Sequence, residues 1–199
     1  MHPDPKFAWR DEAAMRGFVT RTAFAQIVVV ADGKLASAQA PLVIAPDGSA
    51  RFHLARANRL TPLLDGAAVL ASVMGTHFYI SPDWYGTPDQ VPTWNYRLVE
   101  IEGVARRLDD AELRDLLDQL SAAQETQLAP KPAWTSPKMD PHKLDRLVGA
   151  IAGFAIECAK LSGALKMGQN KSESERRGVI AALRALGRHA EADEMEALL

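Results

Sequence analysis

A single cysteine, Cys158, in 199 residues excludes an intrachain disulfide and any cysteine-based zinc site within one subunit. Charge is balanced, with 23 Lys and Arg against 25 Asp and Glu, a net charge of −2 and a pI near 6.2. That argues against non-specific binding to nucleic acid or an anionic membrane as the main activity. No stretch approaches 18 uncharged apolar residues, so no membrane-spanning helix is expected. The opening MHPDPKFAWRDE lacks the charged start and apolar run of a secretory signal, and a cytoplasmic location is expected. GxSxG, P-loop and GxGxxG motifs are missing, which removes the usual support for serine-hydrolase, NTPase and Rossmann readings. The five histidines, His2, His53, His77, His142 and His189, show no paired metal spacing and read as structural or surface groups. No repeat or low-complexity tract occurs.

What remains is an ordinary globular composition, 47% hydrophobic and 24% charged. The length suits one domain over 1–199, with a helical C-terminal extension over 172–199. Aromatics make up only 7% of the chain, yet His77–Tyr96 gathers Phe78, Tyr79, Trp84, Tyr85, Trp94 and Tyr96. Pro82, Pro88 and Pro92 argue against a helix there, and the pattern reads as an ordered aromatic loop, one wall of a site for a flat ligand. A hydrophobic plug or a dimer contact explains the same rings equally well.

Along the chain, Asp11 caps a short helix to Thr20, with Met15, Phe18 and Val19 on one face. Phe24–Val30 and Lys34–Ile44 read as strands joined at Asp32-Gly33, with an edge or bulge at Pro41. Ala50–Leu54 is a third strand, and residues 56–66 read as a helix on Leu60, Leu63 and Leu64 that ends at Gly66. Val69–Met74 and Leu98–Arg107 are further strands. Asp109 or Asp110 caps an amphipathic helix with Leu113, Leu116, Leu117 and Leu120 inward. Gln127–Pro141, with four prolines and Trp134, is a linker or an ordered flap. A helix near 141–149, a strand through Phe154, Ile156 and Cys158 (a buried small side chain), and a polar turn SGALKMGQNKSES follow. Ser172 and Glu175 form a capping box, Gly187 breaks that helix, and a short tail helix ends the chain. The fold class expected is α+β: a small antiparallel β-barrel with helices in its connections.

Two polar clusters are candidate sites. Arg56, Asn58 and Arg59 gather at the expected helix N-terminus, which would suit a phosphate; Asn58 as a plain cap beside solvated arginines is the bland alternative. Lys166, Gln169 and Asn170 sit in the turn before the last capped helix, where amides could meet the edge of a heterocycle. There, too, a well-made cap explains much.

The blocks YISPDWYG and VPTWNY, the HLARAN segment and the Lys166–Ser172 stretch with ESERRGVI resemble the PaiB-type, FMN-binding negative transcriptional regulators. The resemblance runs from about residue 7 to about residue 187. It implies an FMN-binding split barrel similar to flavin reductases, with flavin bound at a homodimer interface. Arg56, Asn58 and Arg59 are then expected near the FMN phosphate, with His53 on the strand leading to them, and Ser37 and Gln39 facing the isoalloxazine or ribityl chain. Trp84, Trp94, Asn95 and Tyr96 would line the site from the loop, and Lys166, Gln169 and Asn170 would close it. Two departures stand out: Gln39 in Ser37-Ala-Gln-Ala-Pro-Leu42 occupies a position where the family often has His, and Asn58-Arg59 replaces a usual Asn-Pro. The family name implies repression of transcription, although the chain shows no helix-turn-helix and no basic face for DNA. Alternatives are a flavin-dependent oxidoreductase using a nicotinamide, or a haem-binding or haem-degrading split barrel with His53 or His77 on the iron.

Overall fold

The computed structural model describes residues 2–31 and 33–199, with only the backbone of Cys158. The turn expected at Asp32-Gly33 and the burial expected of Cys158 lie outside the described residues. Seven strands are present among those described: β1 (Ala8–Trp9), β2 (Phe24–Ala31), β3 (Lys34–Ile44), β4 (Ala50–Ala55), β5 (Ala68–Ile80), β6 (Thr93–Arg107) and β7 (Ile151–Lys166). Five helices accompany them: α1 (Glu12–Thr22), α2 (Asp110–Thr126), α3 (Pro141–Val148), α4 (Glu173–Ala185) and α5 (His189–Glu196). The sheet order is β1-β7-β4-β3-β2-β5-β6, and β7 also pairs with β6, so the ladder closes on itself. Every register assigned is antiparallel. The α+β split-barrel expectation holds.

Local sequence explains most of the elements. Asp11 caps α1 by accepting from Ala14 N, and Asp109 and Ser172 each complete a capping box, with Glu112 and Glu175. Alternation along β2 turns Ala25, Ile27 and Val29 inward, where they are at most 2% exposed. Phe52 of β4 and Phe154 of β7 stack in the interior with ring centroids 5.5 Å apart. Gly103 is required in β6, because a Cβ there would fall 2.6 Å from the Ile156 side chain and 2.9 Å from the Glu157 carbonyl.

Four expectations need correction. Pro41 does not interrupt β3, which runs unbroken through it, although the edge expected there is present, since β3 meets β4 only from Leu42 on. Leu42 N donates to Ala23 O, so alternation turns the Pro41 nitrogen away from β2, and β4 pairing begins only at Leu42. The missing N–H therefore costs no ladder bond. Residues 56–66 form turns and one short 3-10 turn, Thr61–Leu63, and no α-helix. Asn58 Oδ1 accepts from Leu60 N, Thr61 Oγ1 donates to Ala55 O, and Pro62 restricts Thr61, a combination that favours turns. Leu60 and Leu64 are nonetheless fully buried. The aromatic loop is also shorter than expected. His77–Ile80 continues β5 with strict exposed-buried alternation, Thr93–Tyr96 opens β6, and a 3-10 turn over Pro82–Tyr85 begins the connection. The polar turn after β7 shrinks similarly, since Ser162–Lys166 still belong to the strand.

Contacts divide the chain into two compact units. The smaller holds residues to Arg10, Met74–Val99 and Ser162–Leu199; the larger holds Asp11–Val73 and Glu100–Leu161. The smaller has its own core of Phe78, Ile80, Tyr85, Met167, Val179, Ile180, Leu183, Ala192 and Met195. In the larger, α2 and α3 close over Val43 and Ala155 with Leu113, Leu116, Leu120 and Val148.

Candidate cofactor site

Register in the larger unit decides which side chains share a face. Gln26 pairs with Gln39 on one side and Ser72 on the other; Val28 pairs with Ser37 and Leu70; Val30 pairs with Leu35. All of them stand on the outer face of β2, β3 and β5, opposite the buried Ala25, Ile27 and Val29. Leu35 is 77% exposed and Val30 61%, large values for aliphatic side chains, and the two pair with each other one step from the ends of β2 and β3. Beside them a shallow concavity of about 670 Å³ is lined by Val28, Val30, Leu35, Leu70 and Val104, with Glu100, Glu102 and Lys160 at its margin.

A flavin asks for a flat apolar bed, donors and acceptors along a ring edge, and cations for its phosphate. The valine and leucine rows give the bed, and the amides of Gln26 and Gln39 with the hydroxyls of Ser37 and Ser72 give the edge partners. Arg56 and Arg59 are exposed just beyond β4. Arg56 Nε donates to Gly149 O at 2.8 Å, which orients the guanidinium while its terminal nitrogens find no partner among the described residues. Asn58 spends its side-chain oxygen on the Leu60 N–H. The helix expected at the phosphate site is not formed, so a phosphate bound here would rest on the two arginines. With that change, the residues present fit FMN.

His53, from β4, stands apart from this face. Its Nδ1 is buried with no hydrogen-bond partner, and burial pushes its pKa down, so the ring is neutral near pH 7. It lines a cavity of about 330 Å³ with Pro41, Leu117, Leu120, Ser121, Gln124, Glu125 and Trp134.

The smaller unit holds the remaining candidates. Trp94 is 54% exposed; the His77 ring stacks on it at 6.4 Å, and Tyr79 meets it edge-on at 6.1 Å. Trp94, Tyr96, His77, Met74 and Leu98 line a concavity of about 360 Å³. Lys166 Nζ donates to Thr93 Oγ1 at 2.6 Å and to the Trp94 carbonyl, and burial pushes its pKa down. Asn95 is 2% exposed and turns its amide to the Met195 sulfur at 3.5 Å. Trp84 is half-buried against the core of this unit, and its carbonyl faces Gly178. Gln169 spends both ends of its amide on its own turn, accepting from Met167 N and donating to Leu165 O. Asn170 is exposed. Trp94, Tyr96 and Asn170 therefore keep accessible surface, whereas Asn95 and Gln169 are built into local structure. Sequence reasoning missed Gln26 and Ser72, although a lone Gln in the apolar run AQIVVVA was the available signal.

A family model described as "Putative FMN-binding domain" matches residues 1–160. The chain belongs to this family. FMN is the family's cofactor, as the motif blocks implied. The protein "Protease synthase and sporulation protein PAI 2" of Bacillus subtilis is 29% identical over 167 residues, covering 82% of this chain and 79% of that one. This protein is thus PaiB-like. Among solved structures, the flavocytochrome Anf3 from Azotobacter vinelandii matches at a TM-score of 0.60 and 18% identity, covering 89% of this chain and 78% of that one. The FAD and heme binding protein of Mycobacterium smegmatis matches at 0.58 and 17%, covering 88% and 79%. At such identities these two neighbours support the fold alone, and the fold is the split barrel.

Proposed function

We propose that this PaiB-like protein holds FMN on the outer β2–β3–β5 face, completed by a second copy of the chain, and acts as a flavin-dependent regulator. The observation that carries this reading is a water-exposed aliphatic sheet face, Val30 and Leu35, bordered by paired amides and hydroxyls. When bound, FMN supplies reversible hydride and electron exchange. The chain's own residues bind and orient it: Gln39 and Ser37 at a ring edge, Arg56 and Arg59 at the phosphate. A regulatory role draws on the resemblance to the PaiB-type negative transcriptional regulators, with control exerted through flavin state and not through a DNA-reading helix. No helix among the described residues is long and apolar enough to cross a membrane.

The test is flavin fluorescence titration. Wild type should bind FMN saturably. Arg56→Ala with Arg59→Ala should weaken binding at least about tenfold, since charge-assisted phosphate contacts contribute ~1.5–3 kcal/mol each. Unchanged affinity in the double variant would move the phosphate elsewhere. NADH oxidation by the loaded protein would make it an oxidoreductase instead.

A second reading, haem binding, has one observation in its favour. His77 Nδ1 lies 3.2 Å from Gly75 O, the arrangement that leaves Nε2 as a lone-pair donor, on an apolar patch with Trp94 and Leu98. Haem addition should then give a Soret band that His77→Ala removes; no band, or one that survives the substitution, sinks this reading.

A further inference from the structure

Between α2 and α3 lies a cavity of about 420 Å³ in the larger unit, separate from the sheet face. Its walls are Leu117, Leu144, Leu147, Val148, Ile151 and the indole of Trp134, and its volume falls within the small-molecule range. Trp134, Leu117 and Ser121 also line the cavity that holds His53, so the two spaces share a wall. We propose that Trp134 covers a binding site for a small, non-anionic aromatic molecule, distinct from the flavin site.

Three features define that chemistry. Trp134 is held over α2 by its own backbone, whose N–H donates to Glu125 Oε2 at 2.8 Å, while Ser136 Oγ donates to Asp118 at 2.9 Å. The Pro-rich segment is therefore an ordered flap tied to α2, with the indole presented as a stacking surface. At the rim Arg114 is paired with Asp145 at 2.8 Å, while the Asp118 carboxylate accepts only the neutral Ser136 hydroxyl and keeps its negative charge. An anionic ligand would find no free counter-charge and would meet the Asp118 carboxylate, and burying such a charge unpaired is costly. The Ser121 hydroxyl has no hydrogen-bond partner among the described residues, and His53 Nδ1 lies buried and unpartnered in the adjoining wall. Both are polar groups available to orient a ligand, one hydroxyl and one imidazole.

The probe is N-phenyl-1-naphthylamine, a neutral aromatic that fluoresces when transferred from water to an apolar site. It should bind the full chain saturably with one site per chain. Leu147→Glu, at a side chain 49% exposed, places a charge in the cavity without emptying the core, and should weaken binding at least tenfold. Trp134→Ala should weaken it several-fold, while FMN affinity stays at the wild-type value in both variants. Leu35→Glu, on the sheet face, should leave probe binding unchanged. Non-saturating binding, or a loss in Leu35→Glu but not in Leu147→Glu, overturns the proposal. So does conversion of a dimer to a monomer by Leu147→Glu, which would make the cavity an interface between copies.

Discussion

Arg106 holds two carboxylates at once. Its two terminal nitrogens grip Glu112 at 2.7 and 2.9 Å, and its Nε reaches Glu157 at 2.6 Å. Glu112 also accepts from Asp109 N at 2.9 Å as half of the α2 capping box. Together these hold the Glu112 carboxyl at a pKa of about 2, below its usual 4.5, with the Arg106 hydrogen bonds the larger cause. A depressed carboxylate pKa contributes stability that is fully present above 4.5 and is lost as pH falls towards 2. Glu112→Gln keeps an acceptor for Asp109 N but removes the charge. Because Glu112 is partly exposed, screening limits the loss to about 1 kcal/mol at pH 7, or about 2–4 °C in Tm. Urea melts from pH 7 to pH 2 should show the gap between variant and wild type closing between about 4.5 and 2. A gap that stays constant would mean the charge contributes nothing. Of this cluster, only the cap was legible in the sequence. Asp109 and Glu112 are three residues apart, and helix geometry alone brings them together. Glu157 meets Arg106 across 51 residues, through strand register that no local pattern records.

Elements whose ends are written locally were readable, and those whose ends depend on neighbours were not. The caps of α1, α2 and α4 lie where their Asp or Ser stands, and the period-two run of β2 is plain. Residues 56–66 misled because Leu60, Leu63 and Leu64 show helical spacing, while Pro62 and the Asn58 side chain quietly favour turns. β5 and β6 reach into the aromatic segment because cross-strand pairing prolongs them past the point where composition changes. Glycine gives a direct test of element packing. A Cβ at Gly178 in α4 would stand 2.4 Å from the Trp84 carbonyl oxygen, a backbone atom with no room to yield, so α4 must shift off the Pro82–Tyr85 turn. Gly178→Ala should cost roughly 1–3 kcal/mol. Gly17 in α1 meets only the far end of the Arg21 side chain at 3.3 Å, which can swing aside. There the ordinary helical preference for Ala wins, and Gly17→Ala should gain about 0.5–1 kcal/mol. Thermal melts should show Tm moving in opposite directions. A neutral Gly178→Ala would mean that α4 is loosely seated.

For the whole molecule, the question is what covers the outer face of β2, β3 and β5. An aliphatic surface with Leu35 at 77% and Val30 at 61% exposure costs free energy in water, roughly 25 cal/mol for each Å² left uncovered. If a second copy of the chain shares this cover with the flavin, it would present the same patch about a twofold axis. A stable dimer typically buries about 800 Å² on each partner, which sheet-face rows and the Val104 concavity could share. If the face is an interface that also frames FMN, one charge among its exposed aliphatic side chains should break both functions together. Leu35→Glu should therefore run as a monomer by light scattering where wild type runs as a dimer, and should bind FMN at least tenfold more weakly. The Arg56 and Arg59 variants should remain dimeric while losing flavin, because they act on the phosphate and not on the aliphatic rows. A dimeric Leu35→Glu protein with weakened flavin would keep the cofactor on this face and move the subunit contact elsewhere. A monomeric variant with wild-type FMN affinity would do the reverse, leaving the face to assembly and the flavin to another surface.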